Sequence, residues 1–492
     1  MLEFKIDTQA PVSPLPHYWE KCVGSCHAYT ALREDYRQQL HKAHKDAGFQ
    51  YVRFHGLLDD DMSIVTLNHA GKPVYNFFNV DCIFDFLLRI GMKPFIELGF
   101  MPEALSSTSA VCFHYKGNIS KPKDYALWDE LIRKLTAHLV ERYGIAELRS
   151  WFFEVWNEPN LKFFYEGTQN DYFELYRHTA LAIKSVDSTL SVGGPAPACN
   201  AWIADLIRYC ESSNTPLDFV STHHYPTDDP LWSSGMSLDD AIKKLLEKQT
   251  DNVDGAKSAL YNRGILTKMI KCAKRDAGKY PLYYTEWNSS ARLPDEAHDL
   301  PYSAALVAKT IIDNIGMAEC YSFWTFTDIF EEGGQLPGEF HGGFGLQTVH
   351  GIPKATYRTF QLMHQLGNVR LPVIEEQETV GMLASVKDDK IYILAYNHNV
   401  PDGKIESETV RVSLEHLKAS TAKITCIDEN SGNAYKAWKS MGSPEYPKPN
   451  QMEALYLASV PASSDLTVQN GDCCTVLEFT LQPHAVALIQ IY

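Results

Sequence analysis

Between residues 21 and 330, short apolar runs alternate with longer segments of helical period. This alternation predicts a parallel β-sheet whose consecutive strands are joined by helices packed outside it. The candidate strands are residues 22–28, 51–55, 94–98, 151–156, 190–193, 219–223, 282–286 and 321–324. Eight such strand–helix units predict an α/β fold, a closed (β/α)8 TIM barrel, whose reactive groups lie in the loops after the carboxyl ends of the strands.

The segments between these runs carry a helical pattern. Residues 125–143 place a leucine at every fourth position from Leu127 to Leu139, and Gly144 follows as a stop signal. Similar patterns predict helices at residues 35–47, 171–186, 200–210, 260–277 and 303–315. Each predicted helix lies between two candidate strands, as a barrel requires.

Beyond about Gly345 the pattern changes. Residues 357–366 still read as a helix, and short strands separated by turns follow. These strands are residues 382–386, 391–396, 409–412, 422–427, 454–457, 474–479 and 485–491. The pattern predicts an antiparallel β-sandwich, which the opening strand at residues 2–6 is expected to join. We expect residues 15–345 to form a catalytic barrel, and residues 1–14 with 346–492 to form an accessory sandwich domain.

The composition argues against two classes of partner. A formal net charge of −16 and the lack of a Lys/Arg-rich run argue against nucleic acid. No uncharged apolar stretch reaches the roughly 18 residues that a membrane span needs. Residues 1–7 lack the basic segment and apolar core of a signal peptide. The 11 scattered cysteines, with Cys473 beside Cys474, fit reduced thiols better than a disulfide framework, so we expect a cytoplasmic protein.

Metal and nucleotide sites find little support in the sequence. Cys22 and Cys26 are not followed by a second Cys or His pair at zinc spacing. The glycine-rich residues 341–345 lack the Gly-Lys-Ser/Thr ending of a phosphate-binding loop, and we expect a turn there. We therefore expect no metal and no cofactor.

Two carboxylates stand at strand ends. Glu158, in the sequence WNEP at residues 156–159, follows the fourth run, and Glu286 ends the seventh. Cleavage of a glycosidic bond needs one protonated and one ionised carboxyl on opposite sides of the bond. Apolar and aromatic neighbours favour Glu158 as general acid, which leaves Glu286 as nucleophile. Asn157 is expected to reach the sugar's 2-OH, while Glu154, a rival acid on the same strand face, is expected deeper in the barrel.

Further polar and aromatic residues fall at strand ends. His55 closes the second strand, His223 and Tyr225 follow the sixth, and Trp324 follows the eighth. We expect Tyr225 to hold the nucleophile and His223 to bind a sugar hydroxyl. Trp324 would form the floor under the sugar, and a structural role is the alternative for His55 and Trp324. The acids of residues 331–335 either accept hydrogen bonds from sugar hydroxyls or are solvated.

With these residues assembled, the chain resembles glycoside hydrolase family 39, chiefly its bacterial β-xylosidases. The motifs that carry the resemblance are FHGLL at residues 54–58, KGN at 116–118, FEVWNEPN at 153–160, HHYP at 223–226, TEWN at 285–288, and FW at 323–324 followed by EE at 331–332. The resemblance implies that Glu158 is the acid/base and Glu286 the nucleophile. It also implies that the bound sugar is surrounded by His55, Asn157, His223, Tyr225, Trp324 and Glu332.

The same resemblance implies a retaining mechanism, with carboxyl groups about 5 Å apart and a covalent xylosyl–enzyme intermediate on Glu286. It further implies a homotetramer. Residues 113–116 depart from the family, because they carry smaller aromatics and a histidine where its β-xylosidases tend to carry tryptophans. A changed wall at this point bears on which sugar is accepted.

The sequence thus predicts a retaining exo-glycosidase that releases β-D-xylose from the non-reducing ends of short xylo-oligosaccharides. Related retaining activities stay open, namely β-glucosidase, β-galactosidase, α-L-arabinosidase or α-L-iduronidase, because their sugars differ by one substituent or one stereocentre. A non-catalytic sugar-binding barrel is the alternative of a different class, and the presence of both acids argues against it.

Overall fold

The computed structural model describes residues 1–228, 262–334, 338–374 and 377–492. Within these residues a closed parallel barrel is formed by β1 (Cys22–His27), β2 (Tyr51–His55), β3 (Lys93–Leu98), β4 (Phe152–Val155), β5 (Ser191–Pro195), β6 (Phe219–His224), β7 (Leu282–Trp287) and β8 (Cys320–Phe323). Each strand pairs with the next along the chain, and β8 closes on β1 where Phe323 pairs with Val23. The predicted (β/α)8 barrel is confirmed, and every strand lies within two residues of its predicted bounds.

Helices cover the outside of the barrel. They are Glu34–Ala47, Phe78–Ile90, Tyr125–Tyr143, Ile145–Leu148, Gln169–Val186, Ile203–Ser213, Ile265–Ala277 and Pro301–Asp313. The helix Tyr125–Tyr143 has its predicted bounds, and the carboxylate of Asp124 caps it by accepting the N–H of Ala126. The helix predicted at 200–210 begins only at Ile203, because Asn200 and Trp202 have positive φ angles of 57° and 58°.

One helix was missed, and one predicted helix lies partly outside the described residues. The helix Phe78–Ile90 was not predicted, because its sequence FNVDCIFDFLLRI is rich in aromatic and β-branched residues that also favour strands. Of the predicted helix 260–277, residues 260 and 261 lie outside the described part of the chain, which shows Ile265–Ala277 as helix.

Short 3₁₀ turns occupy Ala28–Leu32, Asp60–Met62, Glu103–Leu105, Ala198–Asn200, Pro226–Asp228 and Glu296–Asp299. Two small hairpins join Val65–Leu67 to Pro73–Tyr75 and Val111–Cys112 to Gly117–Asn118.

Two further sheets form the predicted β-sandwich. One contains, in spatial order, Ser13–Pro14, Val369–Leu371, Val380–Lys387, Lys390–Asn397, Val486–Ile491, Ala422–Ile427 and Ala462–Leu466. The other contains Val373–Ile374, Leu2–Asp7, Glu408–Glu415, Cys474–Leu481 and Val468–Asn470. The opening strand Leu2–Asp7 runs parallel to Glu408–Glu415, whereas its neighbour on the other side is antiparallel.

Three helices follow the barrel strands in the carboxyl-terminal part, Ala355–Met363, Ala434–Ser440 and Pro449–Ala458. The strand predicted at residues 454–457 is wrong, because these residues lie in the last of these helices. Pro449 occupies its first turn, and the side chain of Gln451 accepts the backbone N–H of Lys448. A proline and a polar cap at this spacing are helix-start signals that outweigh a short apolar run.

The larger sandwich sheet packs against the barrel helices with one face and against the smaller sandwich sheet with the other. Leu383 and Leu394 belong to the same buried cluster as the barrel helices, whereas Ala384 and Ile393 face the other sheet. This alternation is the period of two expected for a strand buried on both faces. The proposed division between residues 15–345 and the remainder stays a prediction. Among the described helices, none combines the length and apolarity that crossing a bilayer requires.

Candidate active site

Arg53 organises the carboxyl-terminal end of the barrel interior. It lies on β2 and is fully buried. Its guanidinium donates from Nε to Glu154 (2.5 Å) and from Nη1 to Glu286 (2.7 Å), and Nη2 lies 3.0 Å from a carboxylate oxygen of Glu97. Nη2 also donates to Oδ1 of Asn157 at 2.9 Å. One cation therefore holds carboxylates from three strands, which offsets the cost of burying them.

Glu286 accepts hydrogen bonds on both carboxylate oxygens. Oε1 accepts from Arg53, and Oε2 accepts the hydroxyl hydrogen of Tyr225 at 2.9 Å. The rings of His55 and His223 each place a nitrogen 3.6 Å from this carboxylate. The donors to this carboxylate are therefore the guanidinium of Arg53 and the hydroxyl of Tyr225.

A register shift in β7 brings Glu286 into the interior. Thr222 pairs with Tyr284, but the next residue of β6, His223, pairs with Glu286. The extra residue is Thr285, whose hydroxyl contacts Glu154 inside the barrel. Such a bulge lets two consecutive side chains, those of Thr285 and Glu286, face the same interior.

Glu158 lies in the tight turn after β4, where Trp156 and Glu158 have φ angles of 70° and 41°. The side chain is buried, and Oε1 lies 2.9 Å from Nδ1 of His223. Burial and then the negative charges of Glu286 and Asp228 raise the pKa of Glu158 well above its usual value. Burial and these neighbouring charges therefore favour the protonated form of Glu158.

His55, at the end of β2, and Glu332, in the loop after β8, form a second wall of the site. Nδ1 of His55 lies 2.6 Å from Glu97, and Nε2 lies 3.7 Å from Glu332. Burial alone would lower the pKa of His55, but the carboxylates of Glu97 and Glu286 outweigh it and raise the pKa. Burial raises the pKa of Glu332 to about 8, although the nearby His55 acts against this. The charged form of His55 is thus favoured, and it lies beside a carboxyl that can donate or accept.

Aromatic rings border the same space. Trp324, directly after β8, lies with its ring centre 4.7 Å from that of His55. Phe113 stacks on His55 at 6.4 Å, nearly parallel, and contacts Phe163 at 5.3 Å. The hairpin that carries Phe113 is attached to the loop after β8, because the N–H of His114 donates to the carbonyl of Glu332 at 2.7 Å.

The structure brings the predicted site residues to one end of the barrel. These are Glu158, Glu286, His55, Asn157, His223, Tyr225, Trp324 and Glu332. Sequence reasoning missed Arg53, Glu97 and Thr285. A signal was present for Arg53 and Glu97, because each is a charged residue within an apolar strand run, one of them two positions before His55. Glu154 lies deeper in the barrel than Glu158, fully buried against Arg53.

Within the described residues two groups have the spacing of metal ligands, Asp7 with Glu415 and His416 near the surface, and Glu158 with His223 and Glu286 in the buried site. Ligand atoms of Glu158, His223 and Glu286 lie within 4.8 Å of one another. Hydrogen bonds already connect Glu158 to His223 and Glu286 to Tyr225, so these polar atoms have partners without an ion. The absence of a metal or cofactor requirement stays a prediction.

Comparison with known proteins agrees with this geometry. The family model described as glycosyl hydrolases family 39 matches residues 2–471. The chain is 46% identical over 482 residues to a β-xylosidase of Caldicellulosiruptor saccharolyticus, covering 96% of this chain and 95% of that one. It is 35% identical to a β-xylosidase of Geobacillus stearothermophilus, covering 96% and 92%. A structure of a monomeric β-xylosidase from Caulobacter crescentus CB15 superposes with a TM-score of 0.86 at 31% identity, covering 100% and 99%. The chain is a glycosidase and belongs to glycosyl hydrolases family 39.

Proposed function

We propose that this glycosidase is a retaining β-xylosidase in which Glu158 is the acid/base and Glu286 the nucleophile. The observation that carries the proposal is the carboxyl pair itself, whose oxygens approach within 4.8 Å. Retaining enzymes place their carboxyl groups about 5–5.5 Å apart, whereas inverting enzymes need about 6.5–9.5 Å to admit a water molecule. The surroundings of Glu158 favour a protonated carboxyl, which suits the acid/base. Glu286 accepts hydrogen bonds from Arg53 and Tyr225, which suits the nucleophile.

The reaction takes place in two displacements. Glu286 attacks the anomeric carbon while Glu158 gives its proton to the departing glycosidic oxygen, which leaves a covalent xylosyl ester on Glu286. A water molecule then attacks the same carbon, and Glu158 removes its proton. The ester bond breaks, β-xylose leaves, and both carboxyls return to their starting states.

The remaining site residues hold the sugar. The amide oxygen of Asn157 accepts a hydrogen bond from Arg53. The amide nitrogen is therefore left as the donor for the 2-OH. Tyr225 orients Glu286 by its hydrogen bond. His55 and Glu332 bind hydroxyls on the opposite side, and Trp324 supports the ring.

Exo action is the proposed mode, and one contact between two loops at the barrel mouth supports it. The hairpin Val111–Cys112 with Gly117–Asn118 and the loop after β8 are joined by the hydrogen bond between His114 and Glu332. A cleft that is bridged on one side accepts a chain end more readily than a chain interior. β-D-Xylose is the proposed sugar because relatives that share 46% and 35% identity over nearly the whole chain are β-xylosidases.

We further propose a cytoplasmic enzyme acting on small oligosaccharides, since all 11 cysteines are free thiols. A homotetramer is the proposed assembly, although the Caulobacter relative is described as monomeric. Light scattering of the purified chain decides between the two, with a mass near four times 55.6 kDa expected for the tetramer.

The function is tested with a panel of nitrophenyl glycosides and xylobiose. The β-xyloside is expected to have the highest kcat/KM among β-glucoside, β-galactoside, α-L-arabinoside and α-L-iduronide. Proton NMR of the first product should show β-xylose before mutarotation. A different preferred glycoside would overturn the substrate, and α-xylose as first product would overturn the retaining mechanism.

A further inference from the structure

A continuous chain of hydrogen bonds connects Arg53 to the acid through the barrel interior. Nδ1 of His223 lies 2.9 Å from Oε1 of Glu158, and its Nε2 lies 3.1 Å from the hydroxyl of Thr285. That hydroxyl donates to Oε1 of Glu154 at 2.8 Å, while Oε2 of Glu154 accepts from Nε of Arg53 at 2.5 Å. All five side chains are buried, so water does not compete for these bonds.

Counting donors gives this chain a direction. Burial raises the pKa of Glu154, but Arg53 donates to this carboxyl at 2.5 Å and favours its ionised form, which can only accept. Thr285 has a single hydroxyl hydrogen, and it is engaged with Glu154, so its oxygen can only accept from Nε2 of His223. Burial lowers the pKa of His223 well below its usual value, and Arg53 and His55 act in the same direction, so the ring is neutral. A neutral imidazole has one N–H, and in His223 it lies on Nε2 and donates to the hydroxyl oxygen of Thr285.

Nδ1 of His223 is then an acceptor. The 2.9 Å contact with Glu158 is a hydrogen bond only when Glu158 supplies the proton. The opposite arrangement, with the N–H on Nδ1, needs the hydroxyl hydrogen of Thr285 to turn towards His223. Glu154 would then face the oxygen lone pairs of Thr285 in a buried site.

We propose that Thr285 and Glu154 are positioning residues that fix the tautomer of His223 and thereby keep Glu158 protonated in the free enzyme. The proposal rests on the proposed function in one respect, the role of Glu158 as acid/base. After Glu158 has given its proton to the leaving group, its carboxylate faces the lone pair of Nδ1. The carboxylate is therefore a stronger base when it removes the proton of the attacking water.

Several other ionisable groups face Glu158 and belong in any account of its titration. They are Arg53 on β2, Glu286 on β7, Tyr225 and Asp228 after β6, Cys199 after β5 and Glu332 after β8. A substitution at Thr285 leaves all of these groups in place. A change in the titration of Glu158 in that variant therefore reports the hydrogen-bond chain.

The central test compares Thr285→Val with Thr285→Ser. Valine has the shape of threonine but cannot accept the N–H of Nε2, so the proton of His223 is expected to move to Nδ1 and stabilise ionised Glu158. The alkaline limb of kcat/KM for a β-xyloside with a poor leaving group should shift to lower pH by about one unit. Serine keeps the hydroxyl and should restore the wild-type profile.

A second pair covers the case in which the valine variant fails to fold. In Glu154→Gln the amide oxygen faces Arg53, so the NH₂ group faces Thr285 and frees its hydroxyl hydrogen for His223. The hydrogen bonds from Thr285 to Glu158 then reverse direction, and the alkaline limb of the kcat/KM profile should again shift to lower pH. Glu97→Gln is the matched control, because it removes a buried charge paired with Arg53 but lies outside the chain.

Infrared difference spectra with pH give a readout that needs no substrate. The protonated carboxyl band of Glu158, assigned by its loss in Glu158→Gln, should titrate at lower pH in Thr285→Val than in wild type. A folded Thr285→Val variant with an unchanged titration overturns the inference, as does an equal shift in Thr285→Ser or Glu97→Gln. If wild-type protein cleaves no β-xyloside while the infrared shift is present, the proposed function fails and the tautomer assignment stands.

Discussion

The barrel interior at the start of its strands is an aromatic cluster, whereas the interior at their ends is a buried network of charges. At the start, Phe95 stacks on Phe152 at 5.1 Å, and Phe219 packs against Tyr283 at 5.1 Å. At the ends, Arg53 holds carboxylates from three strands. Both regions are buried, but only the second contains groups that can exchange protons with a substrate.

The same strands supply both regions. On β3, Phe95 belongs to the aromatic cluster and Glu97, two residues later, to the charged network. On β4, Phe152 and Glu154 repeat this arrangement. Because side chains two apart share a face, a change from aromatic to charged along one inward face marks the end of the barrel where chemistry takes place. The comparison implies that one end determines stability and the other activity.

The largest expected effect is that of Glu286→Ala at the charged end. Loss of the nucleophile should lower kcat/KM by about 10⁴-fold or more, because no covalent intermediate forms. Arg53 keeps Glu97 and Glu154 as partners, so the melting temperature should change little. Added azide should yield the α-glycosyl azide, detected by NMR. A variant that keeps more than about a tenth of the activity would contradict the assignment.

Glu158→Ala should have a smaller effect that depends on the leaving group. Cleavage of unactivated β-xylosides should fall by about 10²–10⁴-fold, because protonation of the departing oxygen is lost. Dinitrophenyl xyloside needs little protonation and should be cleaved much closer to the wild-type rate of bond breaking. Azide should increase turnover and give the β-glycosyl azide. If the anomers from Glu158→Ala and Glu286→Ala are interchanged, the two roles are reversed.

Phe95→Ala at the aromatic end is expected to act on stability alone. Removing this buried ring should lower the free energy of unfolding by about 3–5 kcal/mol, measured by denaturant titration. kcat should stay within about twofold of wild type under folding conditions. Phe78→Ala is the matched control, since Phe78 is 79% exposed on an outer helix and should cost less than about 0.5 kcal/mol. A large loss of kcat in Phe95→Ala would break the separation of the two ends.

The smallest expected effect shows what the charged end costs in stability. The pKa of Glu332 is raised by burial to about 8, above the roughly 4.3 of an unfolded glutamate. Its ionisation is therefore unfavourable in the folded state, and stability is lost as pH rises from about 4.3 to about 8. Glu332→Gln should gain at most about 2–3 kcal/mol relative to wild type between about pH 6 and pH 8, at roughly 1.4 kcal/mol per pH unit. Glu332→Asp keeps an ionisable group and serves as control, and an equal pH dependence in both variants would contradict this origin.

Much of the fold was predictable because the barrel has a local pattern. Apolar runs and helical periods placed each barrel strand within two residues, and the helix Tyr125–Tyr143 matched at both ends. The failures occurred where local signals conflict. The apolar residues 454–457 lie in the helix Pro449–Ala458, and the aromatic-rich helix Phe78–Ile90 escaped notice.

The candidate site was predictable for residues that end a strand. Glu158 and Glu286 were found in this way, and so were His55 and Trp324. Arg53 was not, because its importance depends on carboxylates 101 and 233 residues away in sequence. Thr285 was missed for a similar reason, since its inward orientation depends on the shifted pairing of β6 and β7.

The sequence by itself determined which elements form and at which strand ends the two carboxylates stand, because hydrophobic period and strand position are local properties. Only the tertiary structure decided how these acids differ chemically. Closure of the barrel brings Glu158 against His223 and the charge of Glu286, while it surrounds Glu286 with donors from Arg53 and Tyr225. Proton affinity depends on burial and on neighbours in space, and those neighbours come from strands far apart in the chain.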